Sequence, residues 1–186
     1  MDRNALDSFA RNVDITVLDE QQFVRLLETL HMLGTSGSGL QLGDLSTSVL
    51  ADLVRDASKE QLLAVVRHDE LRPLFLDEIF RRMSERFLAD KARGTDLVVS
   101  WRFTEGDGDG GYDRFQTVIE AGQCVSGADL GREPDTTVTL CASDFIRMAT
   151  GNANVASMFV TGKVRVKGEY APAVRFSSYF DIPKPG

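Results

Sequence analysis

Two periods of hydrophobic residues divide the chain. Before about residue 94, apolar side chains recur three and four positions apart, the spacing of one helix face. One such stripe consists of Phe23, Leu26, Leu27, Leu30 and Leu33. From Thr95 the period falls to two, because Leu97, Val99, Trp101 and Phe103 alternate with the residues between them, as in a strand. The order of the two periods predicts helices first and a sheet afterwards.

Capping residues and glycines mark the predicted helices of the first part. One helix begins at Asp19 and ends at Gly34, and a second begins at Asp44 or Ser46. Ser58 and Gln61 have the spacing of a capping box, which predicts a short helix ending near His68. A longer helix follows, with Pro73 in its first turn and an end near Arg93 and Gly94. Its apolar face consists of Leu76, Ile79, Phe80, Met83 and Phe87.

The first 18 residues and the second part complete the prediction. Val13, Ile15 and Val17 alternate, which favours a short strand or an extended arm. The second part predicts strands at 95–104, 112–121, 123–130, 136–141 and 163–169, helices capped by Ser143 or Asp144 and by Asn152 or Asn154, and a last helix from Pro172 to Phe180. The fold class is therefore α+β: a five-stranded, mostly antiparallel sheet with helices mainly on one face, preceded by N-terminal helices. We divide it into a helical extension, 1–70, and a second domain, 71–186.

Two glycine-rich segments resemble ligand loops without their essential residues. The segment 34–43 lacks the Lys-Ser/Thr of a phosphate loop, since Leu40 and Gln41 follow its last closely spaced glycine, and we interpret it as a linker. Asp107, Asp109 and Asp113 invite a calcium interpretation, but the glycine and glutamate that an EF-hand requires are missing. A hairpin loop is the better interpretation of these aspartates.

Charge and composition limit the classes of molecule that the protein is expected to bind. The net charge is −7, with 16 acids and 10 bases in residues 1–90 against 12 acids and 11 bases afterwards. An acidic chain without a basic patch argues against nucleic acid. The N-terminal residues are too charged for a signal peptide, so we expect a cytoplasmic protein with reduced thiols.

No set of residues suggests catalysis. His31 and His68 are isolated, and Cys124 lies in a predicted strand without a neighbouring histidine or lysine, so an inert thiol is expected. The two cysteines, Cys124 and Cys141, and the histidines lack metal-ligand spacing. We therefore expect no cofactor, no metal and no enzymatic activity.

Short motifs in the last third of the chain carry a family resemblance. Their residues and their order resemble those of the sterol carrier protein type 2 family, and the resemblance extends over about residues 75–186. The matching motifs are Val138-Thr139-Leu140, Ser143-Asp144-Phe145, Ala149-Thr150-Gly151-Asn152, Met158-Phe159, the run Gly162 to Gly168 with Lys163, Arg165 and Lys167, and Phe180-Asp181-Ile182-Pro183.

The resemblance implies an apolar tunnel that binds a fatty acyl, sterol-like or polyprenoid ligand and transfers it without catalysis. The large apolar residues are candidates for its lining: Phe103, Phe115, Phe145, Met148, Met158, Phe159, Val174, Phe176, Tyr179 and Phe180. Lys163, Arg165 and Lys167 are candidates for an anionic headgroup or a transient membrane contact, although a solvated strand face is the simpler interpretation.

Two alternatives stay open beside the carrier hypothesis. The chain could be an interaction or accessory module of an enzyme system in lipid or secondary metabolism. Its N-terminal helices would then bind a partner enzyme or form a homodimer, with Leu45, Val49 and Leu53 as exposed interface residues. An enzyme that uses the same cavity is the weakest hypothesis, because no residue in the lining is a convincing nucleophile or base.

Overall fold

A five-stranded mixed sheet forms one side of the protein in the computed structural model, which describes residues 3–33, 42–105, 111–128 and 130–184. The strand order is β3-β2-β1-β4-β5. The strands are β1 (Leu97–Phe103), β2 (Asp113–Glu120), β3 (Gln123–Ala128), β4 (Thr136–Leu140) and β5 (Arg165–Gly168). Only the β1–β4 pair is parallel among these strands, which confirms the mostly antiparallel α+β prediction.

Eight α-helices among the described residues pack with the sheet. They are α1 (Arg3–Asn12), α2 (Glu20–Leu33), α3 (Thr47–Asp56), α4 (Lys59–Arg67), α5 (Leu71–Glu85), α6 (Ala142–Ala149), α7 (Val155–Val160) and α8 (Tyr170–Arg175). Short 3-10 turns cover Ile15–Val17, Leu42–Asp44 and Phe176–Tyr179. Helix α5 and the short helices face the same side of the sheet, so one buried layer lies between them.

The predicted strand or extended arm at the N-terminus is wrong. Residues 3–12 form α1, and Ile15–Val17 form a 3-10 turn that Asp14 caps by accepting from the Thr16 N–H at 3.0 Å. Three alternating apolar residues were too short a sample to identify the period, since the cap and not the alternation governs this turn. Helix α1 covers Leu45 and Val49, which are therefore buried and not the exposed interface residues that we expected.

The longest helix ends earlier than predicted. Helix α5 stops at Glu85 instead of near Arg93 and Gly94, because the chain beyond it pairs with the C-terminal segment. Phe87 forms an isolated antiparallel bridge with Phe180, and the Leu88 N–H donates to the Tyr179 carbonyl at 2.8 Å. A tertiary backbone pairing overrides local helix propensity here, and no local signal in the sequence announces it.

Side-chain caps explain most of the other boundaries. Ser58 and Gln61 form the predicted capping box, and Asn154 caps α7 as predicted. Helix α6 is capped differently: Cys141 occupies its N-cap, and the Glu105 carboxylate accepts from the Ala142 N–H at 2.9 Å. The prediction of Ser143 or Asp144 as this cap is wrong, because a distant glutamate takes the role.

Several predictions concern segments that the structure describes incompletely. Residues 34–41 of the expected linker, and Asp107 and Asp109 of the expected hairpin loop, lie outside the described residues. Asp113 begins β2, and its carboxylate accepts from the buried Arg72 at 2.5 Å. The boundary near residue 70 stays a prediction, while one hydrophobic cluster extends from Ile15 across it to Phe180.

Candidate ligand-binding site

A chain of aromatic rings fills the space between the sheet and α5. Phe80, on α5, lies with its ring centroid 5.0 Å from that of Phe115 and 4.8 Å from that of Phe145. Trp101 continues the chain, with its centroid 5.0 Å from that of Phe176. Three of the predicted lining residues, Phe103, Phe115 and Phe145, belong to this packed cluster. Stacked, tilted and edge-on contacts of this kind hold rings tightly, so the cluster forms a wall for any neighbouring cavity.

An apolar cavity lies beside this wall, beneath the last helix. It brings together three of the predicted residues, Met148, Phe159 and Phe176. The cavity extends over about 320 Å³ when its open mouth is included, of which about 20 Å³ is wide enough for a water molecule. A water fits in that space, whereas an aliphatic chain requires the walls to move apart.

The sequence missed most of the remaining lining. The strands contribute Trp101, Val138 and Leu140, whose side chains point to the inner face of the sheet. The other lining residues are Val155, Val164, Ala173 and Ser177. The alternation in β1 and β4 marked the inward-facing positions, but the sequence does not distinguish a cavity wall from a packed core.

The other predicted lining residues lie elsewhere. Met158 is buried without reaching the cavity, and Val174 is 47% exposed on the outer side of α8. Tyr179 and Phe180 fasten the chain end to the residues after α5 through their backbone. Phe180 also lines a second small cavity, with Arg82, Arg86 and Ile182.

The three basic candidates do not face this cavity together. Lys163 precedes β5 and forms an ion pair with Asp144 at 3.0 Å. Arg165 and Lys167 lie opposite Thr139 and Thr137, which alternate with the cavity-lining Val138 and therefore belong to the outer face of the sheet. The role of these cations toward a headgroup stays a prediction.

The two thiols are held in their protonated form. Burial raises the pKa of Cys124 to about 11, although hydrogen bonds with Ser84 and Ser126 oppose the shift. The pKa of Cys141 is also raised, first by burial and then by the neighbouring Glu105 carboxylate. A thiol with a raised pKa is a poor nucleophile, which agrees with the inert thiol expected for Cys124.

Across residues 3–33, 42–105, 111–128 and 130–184, no three His, Cys, Asp or Glu side chains group as a metal site. Within those ranges, no helix combines the length and hydropathy that crossing a bilayer requires.

Buried charges on α5 were not anticipated by the sequence. Arg82 is only 5% exposed and donates to the carbonyls of Leu42 and Leu45 at 3.1 and 2.7 Å. It also contacts the carboxylate of Glu78, which lies one turn earlier. Burial raises the pKa of Glu78, but hydrogen bonds from Arg81 and Arg82 outweigh it and hold this pKa below its usual value. These groups tie α5 to the start of α3.

Comparison with known proteins identifies the lineage. A curated Caenorhabditis elegans protein, non-specific lipid-transfer protein-like 1, is 28% identical over 105 residues, which are 56% of this chain and 89% of that protein. A stereoselective inverting sec-alkylsulfatase from Pseudomonas matches 98% of this chain with a TM-score of 0.50 and 16% identity. This chain spans 31% of the length of that enzyme, and the likeness is one of fold.

A sterol carrier protein-2 from Aedes aegypti, solved with palmitate, is 16% identical over 59% of this chain and 97% of that one, with a TM-score of 0.45. The model of the SCP-2 sterol transfer family matches residues 76–181. Because that match covers more than half of the sequence, the chain belongs to the SCP-2 sterol transfer family.

Proposed function

We propose that this protein binds and transfers a single apolar small molecule, of the fatty acyl, sterol-like or polyprenoid class, beneath its last helix. The observation that carries the proposal is the cavity between the inner face of the sheet and α8, where Met148, Phe159 and Phe176 converge. Family membership and the lipid-transfer description of the Caenorhabditis elegans relative support it.

The physical basis of binding is desolvation. Each methylene removed from water contributes about 0.8 kcal/mol, so a long chain needs few polar contacts. Methionine suits such a site, because its flexible thioether adapts to ligands of different shape. Met148 would supply an adaptable wall, and the strand residues Trp101, Val138 and Leu140 would supply a rigid one.

Entry requires the roof to move. Helix α8 has only six residues, and two of its large side chains, Tyr170 and Val174, are exposed to solvent. The segment after it is fastened more firmly, since Asp181 donates its N–H to the Arg86 carbonyl at 2.9 Å and pairs with the Arg86 guanidinium at 2.5 Å. Helix α8 would therefore swing outward while residues 179–181 stay in place.

Adjacent residues of α8 provide a matched test. Ala173 lines the cavity and Val174 points outward, so Ala173→Phe fills the site while Val174→Phe does not. We expect Ala173→Phe to weaken binding of a fluorescent fatty acid, cis-parinaric acid, at least tenfold, and Val174→Phe to bind as the wild type does. Unchanged affinity in Ala173→Phe would contradict the proposed site. Mass spectrometry of protein purified without detergent and extracted with solvent would identify the natural ligand class.

An accessory module of an enzyme system is the second candidate. The fold match across 98% of this chain corresponds to 31% of an alkylsulfatase, so this arrangement of elements also occurs within a larger enzyme. Vesicle-to-vesicle transfer separates the two candidates. A carrier accelerates movement of a labelled fatty acid between donor and acceptor vesicles by itself, whereas an accessory module retains the ligand and leaves the transfer rate unchanged.

A further inference from the structure

A second apolar cleft lies among the N-terminal helices. It extends over about 640 Å³ including its mouth, with about 40 Å³ wide enough for water, twice the corresponding values beneath α8. Helices α1, α2 and α5 contribute most of its wall, for example Phe9, Leu26, Leu27, Leu30, Leu71 and Phe75. Its lining residues lie between positions 6 and 75, outside the segment 76–181 that matches the family. His31 is the one titratable side chain among the described residues that line it.

A charged groove adjoins the cleft along the second half of α1. It extends over about 680 Å³ including its mouth, with about 300 Å³ wide enough for water, and it shares Ala10, Val13, Ile15 and Leu53 with the apolar cleft. Its charged walls are Arg11, Asp52, Arg55 and Asp56. Because the same four residues border both spaces, an apolar space and a polar one meet along the second half of α1.

Among these charges, Arg11 is placed to meet an anion. Arg55 already pairs with Asp52 at 2.7 Å and with Asp56 at 2.8 Å. Arg11 is exposed, and it makes no ion pair with the part of the chain that the structure describes. Arg11 lines the groove next to Ala10, which borders the cleft, so a carboxylate can meet this cation while the attached chain stays in apolar surroundings.

Among the side chains that the structure describes, helix α1 and the turn after it are held chiefly near Leu6 and at Ile15. At the first point, Leu6 packs in a small cluster with Leu45 and Val49, apart from the main core, and Asp7 accepts from the Ser46 N–H at 2.8 Å. At the second point, Ile15 enters the main core, and its carbonyl accepts from Gln61.

Between these points, Phe9 is 44% exposed, and the half-buried Ala10 packs, within the described part of the chain, only against the small Leu6 cluster. A segment with so few buried contacts opens at low free energy, so α1 can lift over the cleft.

We propose that a long-chain carboxylate binds beneath α1 as a second ligand, with its aliphatic chain in the apolar cleft and its carboxylate at Arg11. The narrowness of the cleft favours a linear chain over a fused-ring sterol. The nearly uniform apolar wall favours a ligand with a single polar end, and the groove places the cation at that end. This site is independent of the one proposed beneath α8.

Filling each cavity separately tests the proposal. Palmitate is titrated into detergent-free protein, and the bound equivalents are counted by native mass spectrometry. We expect two equivalents in the wild type, one in Ala10→Phe, one in Ala173→Phe and none in the double variant. Ser8→Phe, at an exposed position of α1 outside the cleft, is the control and should bind two.

The outcomes separate the two proposed sites. A single equivalent that Ala173→Phe removes and Ala10→Phe leaves unchanged overturns the α1 site and supports the α8 site. A single equivalent that only Ala10→Phe removes supports the α1 site and overturns the α8 site. A wild type that binds no palmitate overturns the α1 site as well.

Two further measurements do not depend on the folding of a cavity-filling variant. Palmitate carrying a diazirine at its terminal carbon should label α2 and the first turns of α5 in the wild type, and labelling confined to residues 76–181 overturns the proposal. Arg11→Glu should weaken palmitate at this site about tenfold and leave hexadecanol unchanged. Arg67→Glu, at an exposed arginine of α4, is the charge control and should bind both ligands normally. Equal palmitate affinity in Arg11→Glu and the wild type assigns the carboxylate to another group and overturns the proposed headgroup contact.

Discussion

The sheet side and the helical side of this protein are filled in different ways. Against the sheet, rings from four separate elements, α5, β1, β2 and α6, interlock around Phe80 with centroids about 5–6 Å apart. Among the N-terminal helices, leucines predominate in the wall of an apolar cleft, and a charged groove adjoins that cleft along α1. Large rigid side chains from many directions make a dense wall, whereas helix ends anchored by a few contacts leave room for a ligand.

The largest effect should come from the ring cluster. Phe80→Ala removes a fully buried ring that touches four others, so we expect a loss of about 3–5 kcal/mol in the free energy of unfolding. Leu27→Ala, at a buried position of the cleft wall, should cost about 2 kcal/mol, near the lower end for such truncations. Urea denaturation of both variants measures the difference. Equal losses would mean that the two sides are packed alike.

The next largest loss of stability should come from the clamp between α5 and α3, which consists of Arg82 and its partners Glu78, Leu42 and Leu45. Arg82→Met leaves the carbonyls of Leu42 and Leu45 without their buried donor and Glu78 with one cation fewer, so we expect a loss of about 3 kcal/mol. Arg81→Met is the control, because this side chain is half exposed and its ion pairs should contribute below about 1 kcal/mol. Thermal unfolding of the two variants decides whether the buried arginine joins the two sides.

The smallest effect should appear in the pH dependence. The pKa of Glu78 is below its usual value in the folded protein, so its contribution to stability is present above the unfolded pKa and is lost as pH falls through the folded pKa. The wild type should therefore lose stability below about pH 4.3, the ordinary value for glutamate. Glu78→Gln should be less stable at pH 7 and should decline less steeply in that acidic range. If stability falls equally with pH in Glu78→Gln and in the wild type, Glu78 is not the group that makes stability depend on pH in this range.

Local signals predicted much of the fold. The alternation of Leu97, Val99, Trp101 and Phe103 identified the inner face of β1, and the Ser58 capping box located the start of α4. The predictions of the strand face and of the helix start succeeded because the deciding interactions join residues a few positions apart, or follow directly from the direction of alternate side chains in a strand. Of the candidate site, Met148, Phe159 and Phe176 lie together in one cavity, and their role in ligand binding stays a prediction.

Long-range contacts account for the failures. The end of α5 depends on the bridge between Phe87 and Phe180, and the start of α6 depends on Glu105, 37 positions before Ala142. Val174 was predicted to line the cavity, yet it faces outward, since the short α8 turns only one side toward the sheet. Helical periodicity identifies an apolar face, but it does not say which surface that face meets.

By itself, the sequence determined the order of helices and strands from about residue 19 onward, the inward-facing residues of the sheet and the family motifs, all of which arise from short-range periodicity and capping. Only the tertiary structure decided that α1 covers Leu45 and Val49, that Arg82 is buried, and where apolar space remains. The physical reason is that a cavity forms where side chains from distant parts of the chain do not fill the space between them. Its position depends on how whole elements pack, and no local pattern encodes that.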